Sequence, residues 1–471
     1  MAGLIGGLIS AAKSLTAQQA GVQVAGRNLA NVNNPEYARQ RVILGDRVVV
    51  AGRLGPVGTG VEVLGIKQIR DQFLDIAVTR ETSQSASLKA QQGAMERAQA
   101  NLGEQIDRSA DSAFIGDATQ STNGISAALN GFFNAFDNLA ANPTDAGAKQ
   151  VLLQKADILA SKFNGTDDRL KALQGDLTAE VGTGVSTVNS LLKQVADLNS
   201  AIGQFELGAP GAAVDLRDQR QARLEELGGY MDFSTRSIPG SNGQIQIVAK
   251  DTAGTDVVLL DRTTVIGGVT FDGTQISSGV PPTVLGLQGG SLKGQLVARD
   301  GAVQQLRDDL KRTADQVAAA VNAAYSPTGA NFFQTPPATG LLALDPTLNF
   351  STLKTSATGD AGANEIALAV ADVARASFST GSGDLINGTI GGFFTKTVSG
   401  LGQTLSGLDA KLGDQQIVQR MLTNQRDSVS AVSMDEEMAD LMKFQRSYQA
   451  SARVVRVMDE LLDGLVNGLI R

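Results

Sequence analysis

The chain has 471 residues, of which only 4% are aromatic, and its formal net charge is −8. It contains neither cysteine nor histidine, which excludes disulfides, thiolate metal sites and thiol nucleophiles and removes the commonest general base. The negative charge argues against binding to a nucleic-acid backbone, which needs a basic face. The sequence contains no run of 18 apolar residues, so no membrane-spanning helix is predicted. We therefore expect no cofactor, no metal, no nucleic-acid partner and no membrane insertion.

A long helix is predicted at the beginning of the chain. Its apolar residues alternate at spacings of four and three, which is typical of a seam between two helices. Pro35 stops the helix, because the residue before a proline is pushed out of the α region. Lys13 interrupts the apolar start and no basic region precedes it, so we expect no cleaved signal peptide. The seam comprises Leu4, Leu8, Ala11, Leu15, Gln18, Val22, Ala25, Leu29 and Val32.

The next segments predict a small β excursion followed by long helices. Apolar runs separated by glycines at 42–44, 48–50 and 61–66 are typical of short strands. Helical composition returns between about Ile69 and Ile106. From 124 to 206, apolar residues recur every three or four positions, apart from a break at Asn142-Pro143. This pattern predicts long antiparallel helices that lie side by side.

A compact β domain is predicted at residues 231–286, where short alternating runs are punctuated by glycine. The chain then returns to helix, residues 326–400 have no clear pattern, and helical character resumes from about Leu401 to Val432.

The last helix is predicted from Ser433 to Arg471, with Ser433 and Glu436 forming a capping box. Its apolar stripe is narrow, so a helix of this length needs a partner helix to cover it. We expect the two terminal helices to form a coiled coil; the alternative is that each packs separately on a globular core. The stripe comprises Leu441, Phe444, Tyr448, Ser451, Val455, Met458, Leu462, Leu465 and Leu469.

Three motifs carry a family resemblance. One follows the first helix, one lies in the last helix, and the third is the DLRDQR sequence at 215–220. The terminal pair resembles the signatures of bacterial flagellar axial proteins, the rod, hook and hook-associated subunits, although Asn34 and Glu36 replace the usual threonine and glycine. The third motif and the segment 131–145 resemble the hook-associated branch. The signature residues are Asn28, Asn31, Asn33, Pro35, Tyr37, Arg39 and Gln40, then Asp215, Arg217, Asp218 and Arg220, then Glu436, Glu437 and Gln445.

The predicted fold is mainly α with inserted β. We expect a terminal coiled-coil domain from 1–40 and 433–471, a long-helix bundle from 41–230 and 287–432 with a β excursion near 42–66, and a small inserted β domain at 231–286.

The resemblance implies a structural subunit that joins the flagellar hook to the filament. Its terminal helices would pack against neighbouring subunits. The implied partners are copies of itself, hook protein, the next hook-associated protein and an export chaperone on the C-terminal helix. The implied location is extracellular, after export without a cleaved signal peptide.

Two other functions are weighed against this one. The chain could be a hook or filament subunit, against which the segment 124–220 argues. It could also be a secreted hydrolase with paired carboxylates, such as Asp167-Asp168 or Asp435 to Glu437. Without histidine or cysteine to support such chemistry, we expect a protein that is not an enzyme.

Overall fold

A computed structural model of the chain describes residues 2–45, 49–52, 55–58, 60–104, 124–337, 339–358, 360 and 362–469. The side chains of residues 2–4, 49–52, 55–58 and 465–469 lie outside the described part. None of the helices it describes is long and apolar enough to cross a membrane.

Most of the described residues are helical. Two helices exceed forty residues, and the longest, α4, has 60 residues. The helices are α1 (Ala2–Ala30), α2 (Gln72–Leu102), α3 (Ile125–Ala141), α4 (Ala146–Phe205), α5 (Val214–Tyr230), α6 (Gly290–Val297), α7 (Gln304–Tyr325), α8 (Glu365–Asp372), α9 (Ile390–Ser430) and α10 (Met434–Leu469). A π-helical turn, Ala298–Val303, joins α6 to α7.

The described strands are short and form antiparallel sheets. The strands β1 (Gln40–Gly45) and β4 (Glu62–Gln68) pair, as do β2 (Val49–Gly52) and β3 (Gly55–Gly58). A four-stranded sheet has the order β5-β6-β7-β8 and a three-stranded sheet the order β11-β10-β9. Their strands are β5 (Ser234–Ser237), β6 (Ile245–Lys250), β7 (Asp256–Asp261), β8 (Thr264–Val265), β9 (Val269–Phe271), β10 (Ile276–Ser278) and β11 (Thr283–Val284).

The chain divides into two compact units, each made of several segments. The first unit combines Met1–Gln84, Val185–Gly290 and Gln415–Arg471, so it holds both terminal helices and all described strands. The second unit combines Ser85–Gly184 and Ser291–Asp414. These divisions fall at other places than the three predicted domains, whose boundaries stay a proposal.

The second unit has a helical core with an aromatic centre. The ring of Phe132 lies 5.2 Å from that of Phe136 and 5.7 Å from that of Phe332, in edge-to-face geometry that favours aromatic pairs. Tyr325 packs on Phe332 in the same manner. The apolar face predicted for α3 is thus buried in a core, together with a loop that the pattern did not place.

The predicted fold class is confirmed. Paired terminal helices, long middle helices and a small inserted β region are all present. The helix that was predicted to resume near Leu401 begins earlier, at Ile390. The predicted break at Asn142-Pro143 separates α3 from α4.

Candidate assembly surface: the terminal helix pair and its polar junction

The two terminal helices run antiparallel and meet at intervals of seven residues. Each step of seven along α1 matches a step of seven back along α10, which is the repeat of a coiled coil. The paired positions are Gly7 with Met458, Ser14 with Ser451, Gly21 with Phe444, and Asn28 with Glu437.

The helices approach closely because small residues occupy the centre of the α1 face. A Cβ atom on Gly21 would lie 2.5 Å from the Cδ1 ring carbon of Phe444, and one on Gly7 would lie 3.0 Å from Cε of Met458. The first distance is shorter than real Cβ contacts allow, and the second would require the end of the Met458 side chain to move by a few tenths of an ångström. Glycine at these two positions therefore makes room for the large side chains of α10.

The predicted α1 stripe lies beside the positions that the contacts with α10 mark, rather than on them. Leu8, Leu15, Val22 and Leu29 each follow a contact residue and are only half-buried, whereas Ala17 and Val24 are fully buried. Hydrophobicity favours leucine as the centre of a seam, but a close helix contact selects small residues instead. Of the remaining members, Ala11 and Ala25 are buried, Gln18 is half-buried, the side chain of Leu4 lies outside the described residues, and Val32 is half-buried in the turn after α1.

The predicted α10 stripe agrees better with the structure. Five of its apolar members are half-buried on the α1 side: Leu441, Phe444, Val455, Met458 and Leu462. Tyr448 is the exception, since 41% of it is exposed; its large ring with a polar tip extends beyond the narrow contact. The side chains of Leu465 and Leu469 lie outside the described part of the chain.

A polar junction lies where α1 ends, and Asn28 is at its centre. The Asn28 amide nitrogen donates to the backbone carbonyl of Gln40 and to a carboxylate oxygen of Glu437, both at 2.9 Å. Its amide oxygen accepts from the Tyr37 hydroxyl at 2.8 Å and from the backbone N–H of Gln40 at 3.0 Å. Asn28 is only 1% exposed, and these bonds join α1, β1 and α10.

Arg39 holds the beginning of α10 against the same junction. Its Nε donates to Glu437 at 2.7 Å, its Nη1 donates to Glu436, and its Nη2 lies 3.7 Å from Asp440. Glu436, which was predicted to form a capping box with Ser433, binds Arg39 through one carboxylate oxygen. The acidic first turn of α10 serves a tertiary contact as well as the helix dipole.

The DLRDQR motif reaches this junction from α5. Asp215 accepts from the Gln40 side chain at 2.7 Å. Asp218 accepts from Arg70 at 2.7 Å and from the backbone N–H of Ala38 at 3.4 Å. The predicted signature residues from three distant parts of the sequence are thus brought together around the end of α1.

Burial governs the ionisation of the junction. Burial raises the pKa of Asp218, and the nearby Arg70 guanidinium only partly opposes this rise. Burial likewise raises the pKa of Asp75, which Arg70 also contacts, at 3.2 Å. The pKa of Tyr37 is raised by burial as well, which keeps its hydroxyl a donor to Asn28.

Sequence reasoning missed Arg70, which bridges Asp75 and Asp218. A signal was available, since a carboxylate in a packed motif needs a cation nearby. The cation comes from the short connection between β4 and α2, at the beginning of a segment predicted only as helical.

The other signature residues form contacts outside the junction or are exposed. Arg217 pairs with Glu206 through two bonds of 2.8 Å, and Arg220 contacts Asn199 and Gly243. Asn31 donates to the backbone of Arg27 at 2.9 Å in the turn that follows α1. Asn33, Pro35 and Gln445 are exposed. The helix α1 ends at Ala30, several residues before the proline that was predicted to stop it.

The described residues contain no cluster of carboxylates arranged to hold a metal ion. Asp167, one of the carboxylates weighed for chemistry, is bound to Arg307 at 2.7 Å.

The helix α10 also carries exposed apolar side chains. Met434, Met438 and Met442 recur at four-residue spacing near its beginning, and Val457 and Leu461 follow further along. Exposed apolar residues that recur along one helix are typical of a surface that contacts another protein.

Two family models match the chain. The model described as flagellar hook-associated protein FlgK helical domain matches residues 118–330, and the one described as flagellar basal body rod FlgEFG protein C-terminal matches residues 420–468. Flagellar hook-associated protein 1 of Bacillus subtilis is 27% identical, over 98% of this chain and 98% of its own length. The chain is similar to flagellar hook-associated protein 1 over nearly its whole length.

Further relatives have the same name. Flagellar hook-associated protein 1 of Escherichia coli is 25% identical, over 97% of this chain and 98% of its own. The solved structure of the flagellar hook junction protein FlgK from Burkholderia pseudomallei is 20% identical, with a TM-score of 0.45 over 55% of this chain and 46% of that one. The resemblance to flagellar axial proteins that the motifs carry is confirmed.

Proposed function

We propose that this chain is a structural subunit of the bacterial flagellum that joins the hook to the filament. The observation that carries the proposal is the antiparallel terminal helix pair, locked by signature residues at Asn28, Arg39 and Glu437. Relatives named flagellar hook-associated protein 1 match over nearly the whole chain, which supports this function over that of a hook or filament subunit.

The helix pair is the proposed assembly element. Each subunit would present the outer surfaces of α1 and α10 to neighbouring copies, to hook protein below and to the next hook-associated protein above. The exposed apolar residues of α10 support this role, because α1 leaves them uncovered.

The proposed route to the flagellum is export without a cleaved signal peptide, followed by assembly outside the cell. We place an export chaperone on α10, whose exposed methionines offer an adaptable apolar surface before assembly. We propose no enzymatic activity; the carboxylates of the junction are used in ion pairs and hydrogen bonds.

Deletion of residues 433–471 tests the proposal. We expect the truncated protein to remain soluble but to be absent from the ends of isolated hooks, because the partner of α1 is missing. Electron microscopy of hooks incubated with each protein measures the fraction of capped ends.

The matched control is Leu368→Asp, which places a charge on an exposed leucine of α8 in the second unit and should leave capping unchanged. Normal capping by the truncated protein would disprove the assembly role of the helix pair.

A further inference from the structure

A groove of about 670 Å³ lies in the first unit. Its walls are the beginning of α2, one face of α5 and the strand β5, and we call it the edge-strand groove. Lining residues include Arg80 on α2, Arg220 and Leu224 on α5, and Thr235 and Ser237 on β5. This volume is within the range of natural ligand sites.

The strand β5 has a free edge on this groove. It lies at the end of the four-stranded sheet and pairs only with β6. Among the described residues, no backbone group supplies hydrogen bonds to its other edge. An unpaired strand edge is a template for adding one more strand.

A buried cation that forms no direct ion pair among the described residues lines this groove. Arg220 is 8% exposed, and its Nη1 donates to the Asn199 side chain and to the carbonyl of Gly243, each at 2.8 Å. Within the described part of the chain, no carboxylate forms an ion pair with it, and the neighbouring Glu206 is already bound to Arg217. Burial and the like charge of Arg217 lower the pKa of Arg220 to about 10, so it still carries its charge at neutral pH.

The position of Arg220 relative to the strand follows from the sheet register. Ile245, two residues after Gly243, pairs with Ser237. The guanidinium therefore lies at the beginning of β6, one strand in from the free edge of β5, and lines the same groove as Ser237.

The remaining charges of the groove are also mainly positive. Lys67 lines it and is exposed, whereas Arg80 lines it but is paired with Glu81 at 3.2 Å. The acidic lining residues are engaged, since Asp75 binds Arg70 and Asp232 accepts backbone N–H groups of the segment before α6 at 2.9 and 3.2 Å. A buried unpaired charge is costly, so an anionic partner at this site gains more than one at an ordinary surface.

We propose that the edge-strand groove binds an extended acidic segment of another protein, which pairs with β5 as an additional strand and places a carboxylate against Arg220. The free strand edge supplies backbone hydrogen bonds, and the surplus of cations selects the charge of the segment. This inference does not depend on the proposed function.

The probe is a fluorescein-labelled peptide, Thr-Val-Asp-Val-Glu-Val-Thr with both ends blocked, titrated with the full chain and followed by fluorescence anisotropy. We expect Ser237→Glu, at an exposed position of the groove, to weaken binding about tenfold or more through charge repulsion. Ser382→Glu makes the same change at an exposed position of the second unit and should leave the affinity unchanged.

Arg220→Gln should weaken binding at least as much, and its thermal unfolding is measured alongside. If that variant does not fold, Ser237→Glu still decides the result. On binding of the peptide, the backbone amides of residues 234–237 should become protected from hydrogen exchange.

Three results would overturn the proposal. One is that the peptide in which Asp and Glu are replaced by Asn and Gln binds with the same affinity as the acidic peptide. Another is unchanged affinity in Ser237→Glu. The third is binding without protection of residues 234–237 and with full displacement by inorganic sulfate, which would identify a simple anion site.

Discussion

At the scale of single residues, Asn28 connects more elements of the junction than any other side chain described above. A side-chain amide has two donors and an acceptor with two lone pairs, and all of them are used here in a buried site. Aspartate would lose the donors and place a charge beside Glu437. Leucine would leave the backbone of Gln40 without partners. The junction therefore specifies asparagine at this position for physical reasons.

Replacing Asn28 by alanine should lower the free energy of unfolding by about 2 to 4 kcal/mol, because several buried polar groups lose their partners together. Urea unfolding followed by circular dichroism measures the change. The matched control is Asn33→Ala, an exposed asparagine in the following turn, which should change stability by less than about 0.5 kcal/mol. Equal effects of the two substitutions would show that the Asn28 network contributes no more than a surface turn.

The sequence identifies Asn28 only through a family resemblance. Its side-chain partners explain why local reasoning stops there, since Gln40 lies 12 positions away and Glu437 lies 409 positions away. Arg70 was missed for the same reason, because its bond to Asp218 spans 148 positions. The sequence shows which hydrogen bonds or ion pairs a residue can form, but not which distant residue is its partner.

At the scale of elements, the helices and their repeats were predictable, whereas some helix ends and the centre of the α1 contact face were not. A spacing of three and four predicts a seam on each terminal helix, and α10 follows it through Leu441, Val455 and Leu462. On α1 the same spacing is satisfied by two neighbouring stripes, one rich in leucine and one rich in small residues. Close packing decides between them, since Phe444 needs the space that Gly21 leaves.

The substitution Gly21→Ala tests this interpretation. In an exposed helix the change would stabilise by about 1 kcal/mol, but here the new methyl group would lie 2.5 Å from the Phe444 ring. We expect a net loss of about 1 to 3 kcal/mol, as is usual for overpacking. The measurement is thermal and urea unfolding of the full chain.

Two further variants show whether the loss comes from this contact. Gly26→Ala lies on the same helix with no neighbouring heavy atom within 4 Å, so it should be neutral or stabilising. Phe444→Leu should recover part of the loss when it is combined with Gly21→Ala. Additive effects in the double variant would mean that the two positions do not touch.

At the scale of the whole molecule, the sequence shows that a β segment is inserted between helical segments, but not how these segments combine into compact units. Composition identified the β segment at 231–286 and the helical segments around it. The compact units, however, cut through the long helices, because α2, α4 and α9 each contribute to both units. The helical periodicity of the sequence continues unchanged across the point where the contacts of one unit end. Such unit boundaries therefore cannot be predicted from periodicity.

If α10 both pairs with α1 and contacts neighbouring subunits, some of its residues should matter for stability and others only for assembly. Leu462 is half-buried on the α1 side, whereas its neighbour Leu461 is 53% exposed. Leu462→Asp should lower the free energy of unfolding by about 1 to 3 kcal/mol, since a charge is placed in the helix contact. Leu461→Asp should leave the stability within about 0.5 kcal/mol of the parent.

Both substitutions should nevertheless block capping of isolated hooks, for different reasons: Leu462→Asp disturbs the helix pair itself, and Leu461→Asp places a charge on the surface offered to neighbouring subunits. Unfolding by urea and counting of capped hook ends by electron microscopy separate the two effects. A stable Leu461→Asp protein that caps hooks normally would show that the exposed surface of α10 around Leu461 takes no part in assembly. The contacts between subunits would then have to come from other surfaces of the chain.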